Sequence, residues 1–141
     1  MIDTTIHESI AAIVDEYCQS IEAASVPMAE KIWLTTDDAT FIHPRGHEKG
    51  FREIVDAFYV RAMGGTFSSR KLDPYDLVVH QIGDTVWAEF SWRFNAVFKD
   101  DGSPLSSSGR ETQLYVLRDN RWLIAHVHYS GPPVGGAREG F

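Results

Sequence analysis

A few sets of residues have types and spacings that could do chemistry. His43 ends a short apolar stretch, Ala39–His43, and is followed at once by Pro44. An imidazole there could take a proton near neutral pH or hydrogen-bond a ligand. It could equally be a structural histidine closing a strand. Glu89 and Arg93 stand four residues apart in a β-rich run, so alternation puts both on one face. They could orient water or substrate as a polar pair, or form a structural ion pair that draws in Glu111 or Asp56. His126 and His128 also share a face, as two metal ligands on a strand could. No third ligand is evident near them, so packing or a subunit contact is the expected role and no metal is assigned. Trp33, Trp87, Phe58 and Tyr59 could wall a site for a flat organic ligand, against the plainer reading of ordinary core. Cys18 reads as a small buried hydrophobe. Arg45, Lys49 and Arg52 read as solvated surface.

Composition limits what such a site can be part of. The chain has 141 residues, the size of one domain, with 43% hydrophobic and 23% charged residues. Its formal net charge of −7 argues against a nucleic-acid or anionic-membrane surface, since both call for basic patches. A lone cysteine excludes an internal disulfide, and no apolar run approaches the roughly 20 residues of a membrane span. With no charged-then-apolar leader at Met1, the expected compartment is the cytoplasm. No cofactor is expected.

The elements that must position these residues follow from periodicity. Thr5 and Glu8 form a capping-box pattern ahead of Ile6, Ile10, Ile13, Val14, Tyr17 and Ile21 at helical spacing. Pro27 suits the first turn of a second, shorter helix with Ala29, Ile32 and Trp33 as its stripe. Ala39–His43 is a short strand and Arg45-Gly46 a turn. A third helix is expected on Phe51, Ile54, Val55, Phe58 and Ala62, ended by Gly64-Gly65. The period then changes. The segments 75–82, 85–98, 106–118 and 122–130 are rich in β-branched and aromatic residues and are separated by turn signals, which predicts an antiparallel meander. Helices first and strands later make an α+β domain over residues 1–133. Residues 134–141 read as a flexible tail.

Alternation sorts the long strands into faces. One face carries Trp87, Glu89, Ser91, Arg93 and Asn95; the other carries Val86, Ala88, Phe90, Trp92, Phe94 and Phe98. Neither is plainly polar, so both are expected to be covered. The mixed face is expected to line a cavity, together with Glu111, Gln113 and Tyr115 of the next strand. The apolar face is expected to be convex and to meet a second subunit in a homodimer.

Three stretches resemble the nuclear-transport-factor-2-like, or SnoaL-like, superfamily. They are Tyr17 in the first helix, the run TDDATFIHP from Thr36 to Pro44, and the run GRET from Gly109 to Thr112 leading into WLIAHVHYSG from Trp122 to Gly131. The last is similar to the closing strands of the calcium/calmodulin-dependent protein kinase II association domain and its free-standing bacterial relatives. The resemblance implies a cone-shaped barrel of three N-terminal helices on a highly curved, mainly antiparallel sheet, usually a homodimer, with a pocket at the wide end. Against the ketosteroid isomerases, Tyr17 falls on the phenol donor, His43 on the catalytic carboxylate and Gln113 on the second oxyanion donor. Only Tyr17 is identical. Against the association domain, Arg93 matches one pocket arginine, while Gln113 and Tyr129 replace two others.

The expectation is a small-molecule pocket protein of this type. As a cofactor-independent isomerase, dehydratase or cyclase, it would abstract a proton next to a carbonyl with His43 as base and Tyr17 and Gln113 as donors. Arg93, Glu89, Trp87, Asp56, Tyr59, Tyr115, Tyr129, Glu111 and Trp33 would contact a small apolar or carbonyl-containing ligand. The alternative is a non-catalytic binding or assembly domain.

Overall fold

A computed structural model describes residues 4–141. The leader reading at Met1 lies outside the described residues. Helix α1 spans Thr4–Glu22 and buries Ile10, Ile13, Val14, Tyr17 and Ile21 of the stripe expected from spacing, with Ile6 half-buried and Cys18 buried beside them. Thr5 lies within this helix. Helix α2 spans Val26–Ile32, with Pro27 in its first turn and Ser25 accepting from the Met28 N–H at 3.2 Å as its N-cap.

Helix α3 departs from ordinary winding. One α-helical turn, Phe51–Glu53, continues as a π-helix over Ile54–Gly64. Wider i→i+5 bonding stretches the repeat of its buried face. Ile54, Phe58, Tyr59 and Met63 therefore point inward, while Asp56 is exposed and Val55 only half-buried. The 3.6-residue stripe placed Val55 on the buried face instead.

Six strands follow the order β2-β1-β6-β5-β4-β3. They are β1 (Thr40–His43), β2 (Gly46–Lys49), β3 (Phe67–Ile82), β4 (Thr85–Phe98), β5 (Pro104–Arg118) and β6 (Arg121–Ser130). Strand β1 runs parallel to β6, and every other pairing is antiparallel. Sequence periodicity did not register β2, because its residues GHEK carry no apolar alternation. Strand β3 also begins earlier than the β-rich signal at Tyr75.

The inner face of the sheet is the apolar one. Val86, Ala88, Phe90, Trp92 and Ala96 are buried on β4, whereas Glu89, Arg93 and Asn95 are exposed. This reverses the expected assignment, and it removes the convex apolar face proposed for a homodimer. Burial of a wholly apolar strand face under helices is worth far more than burial of a mixed one. The mixed face settles outside. There His80 hydrogen-bonds Glu89 at 2.7 Å and stacks on Trp87, and Arg93 lies 4.3 Å above the Tyr75 ring.

Bulges bend the sheet and change the parity of its strands. In β5–β6, Leu114 opposes His126 while Tyr115 opposes Ile124, so Ala125 is the extra residue. Ile124 and Val127 both turn inward as a result, and His126 is separated from the face of Ile124. A second irregularity lies between Tyr75 and Val78, where Asp76 takes a φ of 56°. Residues 131–141 form neither helix nor strand. Among the described residues, no helix is long and apolar enough to cross a membrane.

Candidate functional site

The helices leave an opening over the inner face of β4, β5 and β6. An outer cleft of about 720 Å³ runs from β1 and α3 to Phe98 and Leu105. It shares Met63, Trp92, Phe94 and Tyr129 with an inner chamber of about 50 Å³ that reaches Tyr17 and Glu111. The cleft has the size of a small-ligand site. The chamber has room for little more than a water or a single functional group.

Glu111 is the chemical feature of the chamber. It projects from the inner face of β5 and is 5% exposed. Gln113 donates to its Oε2 at 2.7 Å, and Tyr115 donates to Oε1 of Gln113 at 2.7 Å. Tyr17 of α1 faces the same chamber. Burial raises the carboxyl pKa to about 8, despite the opposing pull of Gln113 and Tyr17. At neutral pH the group is therefore mainly a neutral acid. Burial also pushes up the hydroxyl of Tyr17, with the Glu111 charge adding to it, and does the same for Tyr129. Both phenols remain proton donors.

His43 stands at the wall of the outer cleft. The β1–β2 hairpin brings Glu48 to its Nε2 in a hydrogen bond, and the Arg45 N–H donates to Nδ1 at 3.3 Å. The imidazole side chain is only 7% exposed. It stacks on Tyr129 at 5.8 Å and 20°, with Phe41 edge-on. Tyr129 in turn is the direct partner of Glu111 in the β5–β6 ladder. One aromatic ring thus stands between the histidine–carboxylate pair and the buried carboxyl.

Trp92 supplies a third feature. It is 6% exposed, and its Nε1 is the buried side-chain polar atom without a partner among the described residues. Its ring lies over Gly109, its cross-strand partner, where a Cβ would come within 2.4 Å of Cζ2. Only glycine leaves room for the indole to cross β5 in this way.

Residues 10–135 match the SnoaL-like domain. The chain belongs to this family. Among solved structures, this SnoaL-like chain is similar to a nuclear transport factor 2 (NTF2-like) superfamily protein from Salmonella enterica serovar Typhimurium. The two are 37% identical with a TM-score of 0.95, over 98% of this chain and 99% of that one. A candidate dehydratase of the NTF2-like family from Streptomyces avermitilis shares the fold at 17% identity and a TM-score of 0.82, over 94% and 100% of the two chains. So does the hexachlorocyclohexane dehydrochlorinase LinA-type3 from Novosphingobium barchaimii, at 14% identity and a TM-score of 0.80, over 97% and 94%. No curated protein matches the chain by sequence.

The SnoaL-like fold brings some of the residues expected from sequence together and separates others. Tyr17, His43, Glu111 and Tyr129 border these two neighbouring cavities. Gln113 and Tyr115 stand behind Glu111 and hold it. Trp33 and Tyr59 belong to the closed core: the Tyr59 hydroxyl contacts Ser20 Oγ at 2.8 Å and accepts from Trp33 Nε1 at 3.1 Å. Glu89, Arg93 and Trp87 lie on the outer face of the sheet, away from the cavity. Asp56 borders a different surface cleft with Asp37 and Arg52, because the π-helical turn swings it outward. Sequence reasoning missed Glu48, Trp92, Phe94 and Met63 as site residues. The apolar alternation of β4 carried the signal for Trp92 and Phe94, assigned to the wrong side. For Glu48, five residues after His43 across a Gly-containing turn, the hairpin was the missing piece.

Proposed function

We propose that the chain binds a small organic molecule in this cavity and moves a proton on it without a cofactor. The supporting observation is a buried carboxyl with a pKa of about 8, Glu111, at the inner end of an aromatic cleft whose wall carries the His43–Glu48 pair. Catalytic acids and bases work best with pKa values near the operating pH.

In this reading His43 is the base. With its Nε2–H directed at Glu48, the lone pair is on Nδ1, which accepts from the Arg45 N–H at 3.3 Å and would exchange that bond for the substrate proton. Glu48 orients the ring and stabilises the imidazolium that forms. Glu111, protonated, donates to the oxygen or leaving group that gains negative charge, and Gln113 keeps it in place. Abstraction next to a carbonyl followed by return or expulsion covers isomerisation, dehydration and cyclisation. The dehydrochlorinase and candidate dehydratase that share the fold are named for eliminations, which fits this class.

A screen of carbonyl and β-hydroxycarbonyl compounds for isomerisation or loss of water tests the reading. His43→Ala and Glu111→Gln should each abolish turnover on a hit while the folded spectrum persists. Full turnover in His43→Ala would remove the base assignment. The assembly alternative draws on an arginine-lined pocket, and Arg93, the matched residue, faces away from the cavity.

A further inference from the structure

The rim of the outer cleft differs in charge from the rest of the molecule. The chain is acidic at −7, yet apart from the Tyr129 phenol the ionisable residues around the cleft are His43, Glu48, Arg45 and Arg61. Glu48 is committed to His43. Neither arginine makes an ion pair among the described residues. Arg61 is tethered through Nε to the Asp56 carbonyl at 3.3 Å, which leaves its terminal nitrogens free to meet a ligand. Behind this rim the walls are Phe67, Phe94, Phe98, Leu105 and Met63. Trp92 lines both cavities, and its Nε1–H is buried with no acceptor among the described residues.

We propose that the ligand is an amphipathic organic carboxylate. Its carboxylate meets Arg45 and Arg61 at the rim, its apolar body fills the cleft, and an uncharged oxygen along that body accepts from Trp92 Nε1 once the indole turns that buried N–H toward the cleft. Guanidinium forks suit carboxylates through paired, charge-assisted hydrogen bonds. The carbonyl oxygen is also the group that proton abstraction by His43 would require. The proposal therefore rests on the cavity being the ligand site and adds the substrate class.

The test is a titration of graded straight-chain and aryl-terminated γ-keto carboxylic acids, with their methyl esters and their parent acids lacking the keto group, followed by calorimetry. Keto acids should bind about tenfold tighter than their esters, the scale of one good charged contact. The double variant Arg45→Gln/Arg61→Gln should erase that difference and leave ester binding unchanged. Trp92→Phe should erase the advantage of the keto acid over its parent. Equal binding of acids and esters would overturn the carboxylate while the cavity reading survives. A persistent keto advantage in Trp92→Phe would overturn the role of the indole. If neither series binds at all, this inference and the cavity reading fall together.

Discussion

The side-chain amide of Gln113 donates to Oε2 of Glu111 at 2.7 Å, two residues along the same strand face. Tyr115 follows on that face and holds the other end of the amide. The three residues form a polar ladder inside an apolar cone, with Tyr17 of α1 facing the same chamber. A buried polar group is costly without partners, so this ladder is what makes a carboxyl tolerable there.

The pH dependence of stability follows from Glu111. Its folded pKa of about 8 lies above the ordinary 4.5. Between these values the folded chain holds a proton that the unfolded chain has released. Stability is thus greatest below the lower value and declines as pH rises to the upper, by at most about 1.4 kcal/mol per unit. The melting temperature should fall across this window, and Glu111→Gln, which keeps shape and hydrogen bonds, should flatten the decline. Parallel curves for the two proteins would show that Glu111 is not raised.

Gly109 should not tolerate a methyl group. A Cβ there would stand 2.1 Å from the Ser130 carbonyl oxygen and 2.4 Å from the Trp92 ring. Gly109→Ala is expected to cost about 2 kcal/mol or more in urea unfolding. Its near-ultraviolet circular dichroism should change as Trp92 is displaced. An unaltered spectrum with native stability would mean that the strands part easily at this point.

Tyr59 is expected to act in stability and not in binding. Tyr59→Phe leaves the Trp33 N–H and the Ser20 hydroxyl short of a partner in a fully buried place. The loss should be about 1–3 kcal/mol in chemical denaturation. Affinity for any cavity ligand should stay within twofold or so of the parent, since no binding contact is removed. A large fall in affinity with unchanged stability would place Tyr59 in the site after all.

Arg93→Ala and Glu89→Ala should leave ligand binding unaltered. Both residues are exposed on the outer face of β4, where Arg93 covers Tyr75 and Glu89 holds His80. Exposed contacts of this kind contribute about 1 kcal/mol or less to stability. Calorimetry on a cavity ligand checks this, and a clear loss of affinity in either variant would contradict the observed sidedness of the sheet.

Helix α1, the Pro27 start of α2, the strand at residues 40–43 and the long antiparallel meander were all legible in the sequence. Each is a local consequence of side-chain period, proline geometry or turn residues. The grouping of β4 into Val86, Ala88, Phe90 and Trp92 against Glu89, Ser91 and Arg93 was legible too, because alternation is a property of one strand. Which group faces the helices is a property of the whole sheet, and only the tertiary structure decided it: the larger apolar area went inside. Periodicity was likewise blind to the π-helical turn that exposes Asp56 and the bulge at Ala125 that splits Ile124 from His126, since each inserts a phase shift. Tyr17 and Glu111 come from distant parts of the chain and meet only when α1 lies across β5. Their proximity, and the displaced pKa that comes with it, arises from desolvation shared between elements, which no single segment encodes.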